Sequence, residues 1–136
     1  MATPAGAASS CATCSRRPAI GEGTRHVAFA GLDRAVESGT GEPFGGSVPI
    51  ERAVDDRVLP AYEMNGRPLA PEHGFPLRAV IGGHVGARSV KWLSGITLRA
   101  GPSDNHYQAV EYKLFPPHVT AETADYSEGE MLGEIP

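Results

Sequence analysis

Cys11 and Cys14 have the spacing of half a zinc site or of a redox pair. A structural zinc site needs two more ligands at matching spacing, and the sequence holds no second cysteine pair. Redox pairs sit where a strand turns into a helix, whereas these two lie in a stretch of Ala, Ser, Thr, Gly and Pro. On spacing alone they read as two exposed thiols in a low-complexity leader. The histidines His26, His73, His84, His106 and His118 include no pair three or four apart, so no helical face offers two imidazoles to a metal. The sequence also lacks a nucleophile elbow, a phosphate loop of the Gly-Lys-Ser type and a dinucleotide-binding glycine pattern after a strand.

Chemistry concentrates instead between Tyr62 and Lys91. His73 and Arg78 lie on a segment punctuated by Pro and Gly, while Arg88 and Lys91 follow a Gly-rich turn whose backbone N–H groups can also reach an anion. Arg binds phosphate through two parallel bonds, Lys is a point charge, and His can add a third donor. The charge distribution agrees: residues 66–113 carry six basic groups against three acidic ones, while residues 114–136 carry five acidic groups and no Lys or Arg. A cationic middle inside a chain of net charge −4 suits a localised anion site, one for a phosphorylated polar ligand lying across strand ends. A hairpin with ordinary solvated charges fits the same residues.

The elements that must hold these residues are short. Gly (17) and Pro (12) make about a fifth of the 136 residues, which argues against a helical bundle and for strands joined by many turns. Residues 1–24 form a low-complexity arm, expected to be disordered, and residues 25–136 the folded part. Residues 26–30 alternate like a strand, residues 37–46 read as a polar Gly-rich loop, and residues 47–54 suit a short helix with Pro49 in its first turn. Asn65-Gly66 marks a tight hairpin turn, after which Pro68 and Pro71 keep the return segment from being a central strand. Residues 75–81 are mostly apolar; residues 89–99 are the longest strand candidate, with a bulge at Gly95. Residues 109–114 read as one more short strand, and the acidic tail beyond Pro116-Pro117 as nearly featureless.

Some functions are excluded by composition. No apolar run reaches the ~18–20 residues of a membrane span. The first ten residues lack the apolar core of a secretory signal, and Ser15-Arg16-Arg17 lacks the apolar stretch a twin-arginine signal requires, so a cytoplasmic location is expected. A net negative charge speaks against a generally basic nucleic-acid binder.

The stretches Tyr62-Glu63-Met64-Asn65-Gly66, His73-Gly74-Phe75-Pro76-Leu77-Arg78 and Gly86-Ala87-Arg88-Ser89-Val90-Lys91-Trp92-Leu93 resemble signature stretches of the sulfite oxidase family, which includes plant-type nitrate reductases. The resemblance begins at His26, takes in Phe29, Gly31-Leu32-Asp33 and Ser47-Val48-Pro49, and continues through Tyr112 to Pro116-Pro117. It implies an α+β, mainly β fold, the second half of a sulfite-oxidase-type molybdopterin-binding domain. It implies that Asp33, His73, Arg78, Ser89, Val90 and Lys91 bind a molybdenum–pterin cofactor. Tyr112 would stand beside the metal as the catalytic residue, with Arg88 in the cationic block facing the anion. The implied reaction is oxygen-atom transfer to sulfite or a similar small oxyanion, with electrons leaving to an external acceptor and no nucleic acid or membrane as partner.

Two departures from the family pattern accompany the match. The family's metal ligand is a cysteine in a Cys-Ala-Gly-Asn-Arg-Arg context; the counterpart here, Cys14-Ser15-Arg16-Arg17, has a shorter gap and lies much closer to His26. The upstream half of the domain and the family's dimerisation domain are not expected within these residues, so the chain reads as a fragment of the enzyme. The alternative is a non-catalytic, truncated remnant that binds only an anion, the pterin or a partner chain.

Overall fold

The computed structural model describes residues 20–34, 39, 41–125, 128–131 and 133. Its centre is a three-stranded antiparallel sheet with β1 (His26–Arg34) between β2 (Pro43–Pro49) and β7 (Leu93–Arg99). β1 alternates in burial, turning Val27 and Phe29 inward; Val27 stands opposite Leu98 and Phe29 opposite Ile96. A second pair, β3 (Val58–Ala61) with β6 (Arg78–Ile81), brings Ala79 and Ile81 to the same core. Val48 and Val90 complete that core, and Phe44, Ile50, Ala53, Val58 and Leu93 pack around it. The single α-helical turn α1 (Ile50–Ala53) closes one end of β2. The mainly β expectation holds, and among the described residues no helix is long and apolar enough to cross a membrane.

Several boundaries differ from the sequence reading, each for a local reason. β1 runs on to Arg34 instead of ending near Ala30, because Leu32 N–H finds the Trp92 carbonyl at 2.9 Å. β2 begins at Pro43, within the stretch expected as loop. There Gly45 has no Cβ and so can approach β1: a methyl on it would lie 2.6 Å from the Phe29 carbonyl oxygen. Ser47 belongs to β2, so Pro49 caps the helical turn instead of opening it.

Asn65 and Gly66 adopt φ of 56° and 73°, and the turn joins β4 (Glu63–Met64) to β5 (Arg67–Pro68) as expected. β7 starts at Leu93, not Ser89, because Trp92 takes φ of 46° and breaks the extended run. The extra residue of its bulge is Ser94, next to Gly95; its hydroxyl donates to the carbonyls of Ala30 at 3.0 Å and Gly31 at 3.1 Å. The stretch expected as a strand at 109–114 is instead a π-helix, Tyr107–Glu111, followed by β8 (Lys113–Leu114). The acidic tail supplies β9 (Glu130–Met131), which pairs with β8.

Candidate functional site

Residues 89–92 form the spine of the site, threaded between β6 and the end of β1. Ala79 N–H donates to the Val90 carbonyl at 2.8 Å, Leu93 N–H to the Leu77 carbonyl at 2.8 Å, and Ile81 N–H to the Ser89 hydroxyl at 3.0 Å. On the other side the bond from Leu32 N–H to the Trp92 carbonyl ties the spine to β1. Val90 is fully buried, so its side chain anchors the spine in the core and leaves Lys91 at the surface edge. Ser89 is likewise occupied as a structural acceptor.

Two of the expected residues, Asp33 and His73, are brought against this spine through two glycines. A methyl on Gly31 would meet the Asp33 carboxylate, lie 2.8 Å from the Lys91 carbonyl oxygen and 3.3 Å from a Val90 methyl; the missing side chain lets these groups converge. Gly74, at φ 99°, ends the 3-10 turn Pro71–His73, and a methyl there would lie 2.9 Å from Lys91 Cβ and 3.0 Å from Trp92 N. Only glycine combines that backbone conformation with that approach. The turn is thereby pressed onto the spine, and Lys91 Nζ donates to the Glu72 carbonyl at 2.7 Å while lying 5.5 Å from the Trp92 ring centre. His73 is half-buried at the edge of a pocket it shares with Met64, Asn65, Arg67, Pro68 and Ala70.

Arg78 opens β6 opposite Ala61, and its neighbours Leu77 and Ala79 are both bonded to the spine region. Its Nε is buried with no hydrogen-bond partner, and so is Asp33 Oδ1. A buried polar atom left in this state costs about 1–3 kcal/mol, so two of them beside one spine mark an unfinished polar site.

Arg88 is held elsewhere. It ends the 3-10 turn Gly86–Arg88, is 3 % exposed, and packs its Cδ and Nη1 against Gly46 of β2 beside Gln108 of the π-helix. Burial pushes its guanidinium below the ordinary arginine value. Tyr112 is positioned by yet another element: its N–H donates to the Tyr107 carbonyl at 3.0 Å, closing the π-helix, and its side chain is exposed. Cys14 lies outside the described residues, among which no group of three or more His, Cys, Asp or Glu can hold a metal ion.

Sequence reasoning did not anticipate Gln108, Ser47, Glu42 or Asn105, which latch the segment before Tyr112 onto β2. Gln108 Oε1 accepts from Ser47 N–H at 2.5 Å, Glu42 Oε1 from His106 N–H at 2.7 Å, and the Pro43 carbonyl from Asn105 Nδ2 at 2.8 Å. These partners lie 61 to 64 residues apart, so no local spacing announces them.

Comparison with known proteins identifies relatives of this chain. Residues 11–107 match the oxidoreductase molybdopterin binding domain family, a span that includes Cys14 and ends before Tyr112. The chain is 46 % identical to the mitochondrial sulfite oxidase of Homo sapiens over 113 residues, covering 82 % of this chain and 20 % of that protein. It is 44 % identical to the sulfite oxidase of Arabidopsis thaliana over 116 residues, covering 84 % and 29 % respectively. An NADH nitrate reductase of Phaseolus vulgaris is 39 % identical over 107 residues, covering 77 % of this chain and 12 % of that one. Among solved structures, the sulfane dehydrogenase SoxCD from Paracoccus pantotrophus superposes with a TM-score of 0.61 at 21 % identity, over 84 % of this chain and 25 % of that chain; this likeness concerns the fold. The chain thus spans about a fifth of the length of the animal relatives it matches.

Proposed function

The chain belongs to the oxidoreductase molybdopterin binding domain family, and from that premise we propose that it works as part of a sulfite-oxidase-type enzyme, transferring oxygen to sulfite or a similar small oxyanion. The observation that carries this reading is the pair of unpartnered buried atoms, Asp33 Oδ1 and Arg78 Nε, beside the Lys91 spine. Their chemistry fits a pterin with a phosphate tail. A carboxylate accepts from the N–H groups of the heterocycle, while Arg78, His73 and Lys91 supply donors and positive charge for the phosphate.

In this reading Asp33 orients the ring from the β1 side, and His73 and Arg78 hold the phosphate from the 3-10 turn and β6. Ser89 and Val90 hold the spine, presenting Lys91 to the ligand. When bound, the molybdenum–pterin group supplies two-electron oxygen-atom chemistry, with electrons passing to an external acceptor. Tyr112 donates its phenolic hydrogen bond to the reacting anion, and the buried charge of Arg88 adds a positive field felt by that anion. Cys14 is the proposed metal ligand. A second reading, in which the chain binds the pterin or an anion and transfers no oxygen, draws on Asp33, His73, Arg78 and Lys91 alone, since Arg88 and Tyr112 are carried by elements apart from the Lys91 spine.

One experiment separates the two. Protein produced in cells that make the cofactor is analysed for molybdenum and pterin, then assayed for sulfite-dependent reduction of an artificial acceptor. Stoichiometric metal with turnover, abolished in Cys14→Ser, is the expected result. Pterin without turnover supports the second reading, and absence of pterin, metal and turnover together sinks the first.

A further inference from the structure

The π-helix Tyr107–Glu111 is an unusual way to approach a residue assigned to the reacting centre, and such turns occur disproportionately at functional sites. Its entry is fastened by bonds from residues 103–106: Ser103 N–H to the Ser47 hydroxyl at 2.7 Å, Asn105 Nδ2 to the Pro43 carbonyl at 2.8 Å, and His106 N–H to Glu42 Oε1 at 2.7 Å. Those bonds fix where the helix begins. Within the helix two polar side chains face the sheet: Tyr107, whose ring lies 4.7 Å from that of Phe44 in β2, and Gln108. Gln108 is 4 % exposed, and its Oε1 accepts from both the N–H of Ser47 at 2.5 Å and its hydroxyl at 3.3 Å. Gly46 lies beside it without a side chain; a methyl there would lie 3.2 Å from that oxygen, a close contact. The helix ends at Tyr112, whose N–H bonds back five residues to Tyr107.

We propose that Gln108 is the positioning residue for Tyr112: by docking its amide oxygen on Ser47 it sets the rotation of the π-helix and hence the stance of the tyrosine that follows it. The inference rests on the reading of Tyr112 as the residue facing the anion. Gln108 itself touches neither substrate nor cofactor in this account.

The test needs no bound cofactor. The full chain is labelled with ring-fluorinated tyrosine and read by fluorine NMR, with Tyr112→Phe identifying the Tyr112 signal by its loss. Gln108→Leu, similar in size but without an acceptor, is expected to move that signal towards the position of free fluorotyrosine while Tyr62 stays put. Gln108→Glu keeps an oxygen for Ser47 N–H and is expected to hold the signal near its original place. Gly46→Ala, which crowds the amide without removing it, should move the signal in the same direction as Gln108→Leu and serves if that variant fails to fold.

An unmoved Tyr112 signal in Gly46→Ala and Gln108→Leu overturns the proposal, as does equal displacement by Gln108→Leu and Gln108→Glu. Failure of the functional premise shows up separately. In molybdenum-loaded protein, an unchanged sulfite turnover in Tyr112→Phe removes the catalytic role of Tyr112 and, with it, the role assigned here to Gln108.

Discussion

Asp33 and Arg78 share a physical predicament, each with a polar atom withdrawn from water and given no protein partner in return. Evolution rarely leaves two such atoms beside one backbone segment unless something else satisfies them. Asp33→Asn and Arg78→Gln are therefore expected to lower pterin content on purification, each by about tenfold or more, since one charge-assisted hydrogen bond is worth about 1.5–3 kcal/mol. Extraction and fluorescence of the oxidised pterin measure this directly. Thermal stability should fall little in either variant, because no described protein hydrogen bond to these two atoms is lost. At this scale the sequence was informative about residue type: the cationic block was legible as a candidate anion site, with a charged hairpin as its alternative, and Asp33 came from the resemblance. It was silent on burial. Arg88 looks from sequence like another surface cation, yet it is enclosed by β2 and the π-helix.

Among the elements, the 3-10 turn Pro71–His73 depends most on a single residue. Gly74 ends it in a left-handed conformation and allows it to rest on Lys91 and Trp92. Gly74→Ala adds a left-handed strain of about 1–2 kcal/mol to a contact that backbone atoms cannot relieve by rotating a side chain. The expected outcome is a drop in urea midpoint together with loss of the Lys91 Nζ bond to Glu72, read as greater accessibility of Lys91 to amine labelling. Elements with local signals were legible from the chain. The Asn65-Gly66 turn formed as read because both residues accept positive φ. Elements decided by distant partners were not: β2 extends through glycines that resemble a loop, and the π-helix replaces an apparent strand because Gln108 finds Ser47 across 61 residues of sequence.

On the scale of the whole molecule, one small core supports both the sheet and the site. Val90 is its fully buried link, with its side chain in the core and its carbonyl bonded to β6. Val90→Ala is expected to cost about 2 kcal/mol in urea unfolding, and to loosen pterin retention as well because Lys91 rides on the same segment. The core face of the sheet is apolar and stays open along one side: a groove of about 640 Å³ runs past Val27, Phe29, Ile50, Leu93, Ile96 and Leu98, with Ile96 56 % exposed. By itself the sequence determined the class of the fold, the hairpin, the cationic block and the family, because turn chemistry, alternation and motif spacing are local properties. Only the tertiary structure decided which cations are buried, which polar atoms lack partners and how Tyr112 is approached. Those outcomes depend on which distant backbone groups come within bonding distance, and that is set by packing, not by neighbours in the chain.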